Sequence, residues 1–463
     1  MDPLVATLAL ILLALLGARF SFSTERIPAG PRLLFRTGTH FLFVGVLLGP
    51  AVLGLLSTEA LVQLYPLLGL GLGWVGLLFG LQLDRTTLRQ FPRAFHALAI
   101  GQAVIAFGVF AAIGWFSADL MGMATPQVTA LILAAGATAA VSSPAGIALV
   151  STNFLVRGQV RQCLFFVASL DAVVGLVALQ VTYGWMHGTD MTAGFEVGGP
   201  LFWTGIDLAL GLVCGVLFLW LMRLRPGREE LVLYLLGISA LAGGAALQLQ
   251  LSPLVAATVM GAVVANFSRD RDRVFKALQQ WEKPIYLVLL LLAGAQLRLP
   301  TWWVFPLGVG YFAMRMVGKV IGSAVFVQLL PLPFDAPRRM GLGLIPQGGI
   351  TLAMALSLVL TLGGSGIEVG GLPAVDLLFA VIVVGVVLSE LTGPVFTAQV
   401  LRRAGEITRA VEKAIAEGDD RKAEAEAMRR HRPASPVPAG ASEPEPETDD
   451  EDEADAESPS PSP

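Results

Sequence analysis

Five ionisable side chains stand well inside long apolar runs of this sequence: Asp171, Asp207, Arg315, Lys319 and Glu390. A charged group at the centre of a bilayer costs about 2.5–3.5 kcal/mol even on lenient insertion scales, so each of them needs a functional or a pairing reason. Asp171, in the middle of F-F-V-A-S-L-D-A-V-V-G-L, is the expected working residue. The stripe Ala168, Asp171, Gly175 and Ala178 follows a 3-4-3 spacing, which puts small side chains on the carboxylate's own helical face and leaves room for an ion. Arg315 and Lys319 are four residues apart and repel each other on a shared face, so each calls for an acidic partner. Asp171 is matched with Lys319, and Glu390 with Arg315. Gly318 and Gly322 flank the lysine at the spacing that lets another helix approach it. Asp207, about two turns inside its run, is expected to reach outer water.

The second chemical feature is V-S-S-P-A-G, Val141 to Gly146, directly before the run of Asp171. Pro144 removes a backbone donor and Gly146 loosens the chain after it, so a helix breaks there. Freed backbone groups at membrane depth persist only when buried in protein or lining a polar cavity. Thr138 and Ser142, one turn apart, and Ser143 add hydroxyl oxygens beside the released carbonyls. Carboxylate, hydroxyls and carbonyls form a ligand set suited to a hard monovalent cation. Ser142 and Ser143 also fit as caps of a half-helix starting at Pro144, and both roles stay open. A buried carboxyl is neutralised by a proton or by a metal ion, not by both at once. If the empty charged site is too costly to carry across, each transit moves one or the other, which is exchange.

These residues require a membrane scaffold, and the composition supplies one: 463 residues, 55% apolar, 14% charged, 51 glycines, as in an all-α polytopic membrane protein. The net charge of -4 hides an asymmetry, with 24 Lys/Arg against 18 Asp/Glu up to Arg403 and 7 against 17 after it. Cys163 and Cys214 lie within apolar runs and are read as packing residues, and the four scattered histidines suggest neither a metal cluster nor a nucleophile–base arrangement. No cofactor, no enzyme activity and no nucleic-acid partner are expected. Thirteen apolar runs of helical length occur, at about 4–20, 33–50, 61–82, 94–116, 126–150, 160–185, 200–222, 229–248, 252–267, 283–298, 302–330, 339–362 and 372–398. Arg and Lys collect in every odd-numbered connection, and only Arg298 falls in an even one, which places the N-terminus outside and the C-terminus in the cytoplasm. The first run has no basic residue before it, unlike a cleavable signal peptide, and is read as a permanent span.

Spans 1–6 and 8–13 form two six-helix repeats, and the single span between them inverts the second. The fifth span of the first repeat holds Pro144, Ala145 and Gly146; that of the second holds Pro346, Gln347, Gly348 and then Gly349. Matching interruptions in two halves are the best sequence pointer to a transport site. Residues 1–403 make the transmembrane unit, 404–432 a charged cytoplasmic helical segment, and 433–463 an acidic tail too poor in apolar residues to fold.

The motifs F-L-F-V-G-V-L-L-G-P (41–50), L-L-F-G-L-Q-L-D (77–84), V-S-S-P-A-G (141–146), S-L-D-A (169–172), V-G-K-V-I-G (317–322), I-P-Q-G-G (345–349), L-S-E-L-T-G-P (388–394) and A-G-E (404–406), in this order, resemble the monovalent cation/proton antiporter superfamily. They resemble in particular the sodium/hydrogen exchanger-type branch that includes the glutathione-gated potassium efflux systems. The resemblance implies a homodimer in the bacterial-type inner membrane. Spans 1–3 and 8–10 (about 1–90 and 229–299) would form its interface part. Spans 4–6 and 11–13 (about 93–186 and 301–403) would form a core moving like an elevator. It assigns Na⁺ or K⁺ and H⁺ binding to Asp171 and charge compensation to Lys319. Leu170 stands where many relatives carry Asp, Asn or Gln before the essential carboxylate, and Ile350 where a Glu often follows the Q-G-G motif. A single carboxylate points to one-for-one electroneutral exchange rather than a two-proton cycle, while proton release from Lys319 would make transport electrogenic. The cytoplasmic nucleotide-binding domain of many relatives has no counterpart in this sequence, so nucleotide or glutathione gating is not expected. Two rival readings are a sodium-coupled symporter of an organic solute, which needs more polar cavity residues than the sequence offers, and a transport-inactive membrane sensor acting through the acidic tail.

Overall fold

The computed structural model describes residues 38–187, 199–363 and 366–416. The expected first span (4–20), Arg26 and Arg32, and the tail beyond residue 416 lie outside the described residues. Helical segments occupy the other twelve expected spans.

The first bundle comprises α1 (His40–Leu48), α2 (Thr58–Gln63), α3 (Tyr65–Leu81), α10 (Arg228–Gln248), α11 (Pro253–Phe267) and α12 (Arg271–Gln296). Within it α3 packs on α10, α11 and α12, and α1 on α12. The second comprises α5 (Arg93–Leu120), α6 (Pro126–Ala139), α7 (Pro144–Asn153), α8 (Gln159–His187), α13 (Val304–Leu329), a 3-10 turn (Met340–Leu344), α14 (Gly349–Leu362) and α15 (Ala374–Arg403). Here α5 packs on α13, α6 and α8, and α15 packs on α13 and α14. Helix α9 (Pro200–Met222) bridges the two, lying on α11 and α8. A short helix α4 (Arg85–Leu88) follows α3, and α16 (Arg409–Ala416) follows α15.

The helix starts follow local rules. Proline occupies the first turn of α6, α7, α9 and α11, where its missing N–H costs nothing. Thr125, Ser143 and Ser252 cap three of these four through their hydroxyls.

Among the described residues, seven stretches are long and apolar enough to cross a membrane by length and composition: α5, the α6–α7 pair, α8, α9, α10, α13 and α15. The count of thirteen is not reached on that measure, for identifiable reasons. Helices α3, α11 and α14 are apolar but short. The span over 339–362, expected to be interrupted at Pro346–Gly349, consists of the 3-10 turn and α14. Helix α12 begins with Arg271, Asp272, Arg273 and Lys276 before its apolar half.

Candidate ion-binding site

Two interruptions cross at the centre of the second bundle. Helix α6 stops at Ala139 and α7 starts at Pro144; the 3-10 turn stops at Leu344 and α14 starts at Gly349. The extended segments between them are tied together. Ser143 N–H donates to the Pro346 carbonyl at 2.8 Å, and Ser142 Oγ donates to the Leu344 carbonyl at 2.8 Å. Four helix ends therefore converge, two with unpaired N–H groups and two with unpaired carbonyls.

Asp171, fully buried on α8, reaches this crossing. Its Oδ1 accepts the Ser142 backbone N–H at 3.0 Å, and its Oδ2 accepts Lys319 Nζ at 2.7 Å and Gln102 Nε2 at 3.3 Å. Lys319 Nζ also donates to the carbonyl of Ala140 at 2.5 Å. The expected Asp171–Lys319 pair is thus formed, at the interruptions and wholly out of water. The expected Arg315–Glu390 pair is not among the ion pairs of the described residues. Arg315 instead donates to the carbonyls of Val141 at 2.7 Å and Leu344 at 3.1 Å. The physical reason is local: the breaks release carbonyls beside the guanidinium, and the C-terminal ends of α6 and of the 3-10 turn favour positive charge. Glu390 is buried on α15, next to Ser389.

The hydroxyls expected to ligate a cation are engaged elsewhere. Thr138 Oγ1 donates to Ala135 O at 2.8 Å and lies 3.1 Å from Tyr311 Oη. Ser143 Oγ accepts the Ala145 N–H at 3.2 Å as the cap of α7. Ser142 meets Asp171 through its backbone N–H, while its hydroxyl donates to the Leu344 carbonyl, and the cap of α7 is Ser143. Gln347 is a strut: its Nε2 donates to Thr138 O at 3.2 Å and to Tyr311 Oη at 3.1 Å, and its Oε1 accepts Ser389 Oγ at 3.0 Å. The room expected around Gly175 is filled, because a Cβ there would overlap Val141 of the first break. Gly318 and Gly322 do admit another helix. It is α5, whose Ala106 and Gln102 carbonyls sit against them.

That approach delivers Gln102, which sequence reasoning missed. A signal existed: Gln102 is the only polar side chain between Ala97 and Gly114 on α5. Tyr311, one turn before Arg315, was missed as well. Another unassigned contact holds the base of the Asp171 helix: Glu406 of the A-G-E motif accepts the N–H groups of Val160 at 2.7 Å and Arg161 at 3.0 Å. A carboxylate at a helix N-terminus satisfies unpaired donors and complements the dipole.

A cavity of about 410 Å³ leads to the crossing. Gln82, Glu282 and Lys283 line it at one end; Ser142, Ser143 and Gly348 line it at the other. It stops short of Asp171. The arrangement is a charged pair behind a thin, hydrogen-bonded break, reachable from one side.

A family model, that of the transmembrane sodium/hydrogen exchangers, matches residues 9–403. The chain belongs to the sodium/hydrogen exchanger family. It is an integral membrane transporter and not an enzyme, and cation/proton antiport is the family's activity. Two solved structures of the sodium proton antiporter MjNhaP1 from Methanocaldococcus jannaschii resemble this exchanger in fold. One, determined at pH 8, has a TM-score of 0.59 at 16% identity and covers 87% of this chain and 98% of its own. The other, an electron-microscopy map, has a TM-score of 0.59 at 16% identity and covers 87% and 97%. No curated protein matches the chain by sequence.

Proposed function

We propose that this exchanger moves a monovalent cation, Na⁺ or K⁺, against H⁺, with Asp171 holding each in turn. The observation that carries the reading is the position of Lys319 Nζ, bonded to Asp171 Oδ2 at 2.7 Å and to the released Ala140 carbonyl at 2.5 Å. Those are the oxygens a dehydrated alkali cation would use. The ammonium is a built-in occupant, and a cation entering from the cavity must displace it. With Lys319 withdrawn, Asp171 and the carbonyls at the break take the cation; a proton later replaces the cation on Asp171.

Alternating access by an elevator motion fits the packing. The bundle of α5–α8 and α13–α15 carries the site, while α1–α3 and α10–α12 form the other body, with α9 between them. On this reading the chain has thirteen spans in two inverted repeats, the N-terminus outside, and a homodimer joined through the first bundle. The cavity then opens to the cytoplasm, because Gln82 and Lys283 flank the arginine-rich connections.

Reconstitution in liposomes with an imposed proton gradient tests this. Internal pH should change when Na⁺, K⁺ or Li⁺ is added outside, and the cation that works identifies the substrate. Silence with every cation would overturn the reading. A comparison with and without an ionophore fixes whether the cycle moves net charge.

A further inference from the structure

A second buried carboxyl lies away from the crossing and has no part in the mechanism above. Asp207 on α9 is completely buried, not in contact with outer water as its position near the helix start suggested. Its nearest polar groups are the side chain of Gln180 on α8 and the backbone N–H of Ser252 at the start of α11. Neither Asp207 oxygen makes a hydrogen bond of good geometry, and neither does the amide oxygen of Gln180, which is 4% exposed. No ion pair among the described residues involves Asp207.

Three acceptors thus share a space without a cation, and the donors nearest the carboxyl, the Ser252 N–H and the Gln180 amide, miss good hydrogen-bond geometry. An ionised carboxylate offers acceptors only, and each orphaned buried group is costly. One proton resolves this. A neutral carboxyl has one O–H, which the Gln180 oxygen accepts, and the charge is gone. The space admits nothing larger. One turn from Asp207, a Cβ on Gly211 would overlap the Ala256 carbonyl of α11. One turn from Gln180, a Cβ on Gly184 would overlap the Pro200 carbonyl of α9. Backbones in contact on both sides leave no room for a hydrated ion.

The site occupies the seam between the two bodies. Gln180 and Tyr183 come from α8, Asp207 from the bridging helix, Ser252 from the first bundle, and Ser357 and Thr361 from α14. Ser252 Oγ lies 3.0 Å from Ser357 Oγ, which accepts the Tyr183 hydroxyl at 3.4 Å. The titratable group facing Asp207 is Tyr183; α11 and α14 contribute hydroxyls and no charge. Gln180 is nine residues beyond Asp171, about 14 Å of helical rise, while the cavity's contact with α8 ends at Ala172. The seam is therefore closed on the side away from the cavity.

We propose that Asp207 is a second proton-binding site, neutral while α8, α9 and α11 are closed on one another, which gives its proton to water when that seam parts. The second clause rests on the alternating-access reading; the first does not. Because the proton leaves and returns on the same side, it sets the ease of closing and adds nothing to the exchange ratio.

Infrared difference spectra of the full reconstituted chain at neutral pH, in H₂O and D₂O, test the first clause. The carbonyl stretch of a protonated carboxylic acid should be present in wild type, persist in Asp171→Asn, vanish in Asp207→Asn, and shift in Gln180→Leu. Loss of a carboxylate band in Asp207→Asn would show an ionised Asp207, with Gln180 presenting its NH₂, and would overturn the proposal. A protonated-acid band that survives Asp207→Asn would overturn it too. Should Asp207→Asn fail to fold, an unshifted band in Gln180→Leu has the same force. The pH profile of exchange tests the second clause. Reclosing needs a proton, so wild-type exchange should fall at alkaline pH by up to about tenfold per unit. Asp207→Asn, always neutral, should keep its rate there with an unchanged exchange ratio. An identical profile in the two proteins would remove Asp207 from gating. A wild type that moves no cation would sink the exchange reading and leave the infrared result standing.

Discussion

The two bundles bury different things. In the first, helices meet through backbone: a Cβ on Gly80 would overlap the Thr258 carbonyl, and one on Gly294 would overlap the Leu42 carbonyl. In the second, the buried residues include Thr138, Ser142, Asp171, Arg315, Lys319, Gln347, Ser389, Glu390 and Thr397. Small residues at close-packed membrane interfaces give a fixed body held by dispersion. Interior charges and broken helices cost stability, and persist where they have work to do. On the proposed mechanism, the first bundle is the scaffold and the second carries the chemistry.

Substitutions at the two places should fail in different ways. The largest effect is expected for Asp171→Asn, which keeps the side-chain shape but cannot exchange a cation for a proton. Exchange in liposomes should fall to background while the purified protein remains monodisperse. Normal exchange would take Asp171 out of the mechanism.

Next is Lys319→Met. Removing one partner of a buried pair typically costs about 3–5 kcal/mol, so the melting temperature should fall. The transported cation can take the vacated place, and at about a hundred times its dissociation constant it should return about 2.7 kcal/mol. Cation-dependent thermal stabilisation should therefore be larger in Lys319→Met than in wild type. Equal stabilisation would mean that ammonium and cation do not compete.

Gly294→Val probes the scaffold. Overpacking should lower stability by about 1–3 kcal/mol, and protein that stays folded should exchange with unchanged cation selectivity. A changed selectivity would break the division of labour between the bundles.

The smallest effect concerns Asp84, in the turn after α3. Burial alone would raise its carboxyl, but the hydroxyls of Thr86 and Thr87, the Thr87 N–H and the Arg271 guanidinium outweigh this and hold it well below the usual carboxylate range. Its Oδ2 accepts those hydroxyls at 2.6 and 2.7 Å. A depressed value means stability that is present above the unfolded-state value near 4 and lost as pH falls below it. Asp84→Asn should cost about 1 kcal/mol at pH 7, read as a lower melting temperature. The gap from wild type should narrow below about pH 4; a gap independent of pH would contradict the assignment.

The crossing was legible in the sequence because its signals are local. Pro144 and Pro346 break helices by removing a donor, and Asp171 and Lys319 are conspicuous as charges in apolar runs. The partners of Arg315 were not legible, since Val141 and Leu344 serve it through carbonyls that any residue type would provide. Gln102 reaches Asp171 only because α5 settles against Gly318 and Gly322, and that register depends on packing rather than on pattern. The hydroxyls of Thr138 and Ser142 lie at the level of the breaks, but their donation to the Ala135 and Leu344 carbonyls was not legible, because spacing fixes a helical face and not a rotamer. Length and composition alone mark only seven crossing stretches among the described residues, because they identify a crossing helix poorly when it is short or interrupted.

Proton release on cation binding tests the central claim most directly. Purified wild type in weakly buffered detergent, at a pH acid enough to hold a proton on Asp171 and with its cation sites empty, should release a proton as Na⁺ or K⁺ is added, saturating at about one per chain, and Asp171→Asn should release none. Saturable cation binding without proton release in wild type, or equal release from Asp171→Asn, would contradict the account.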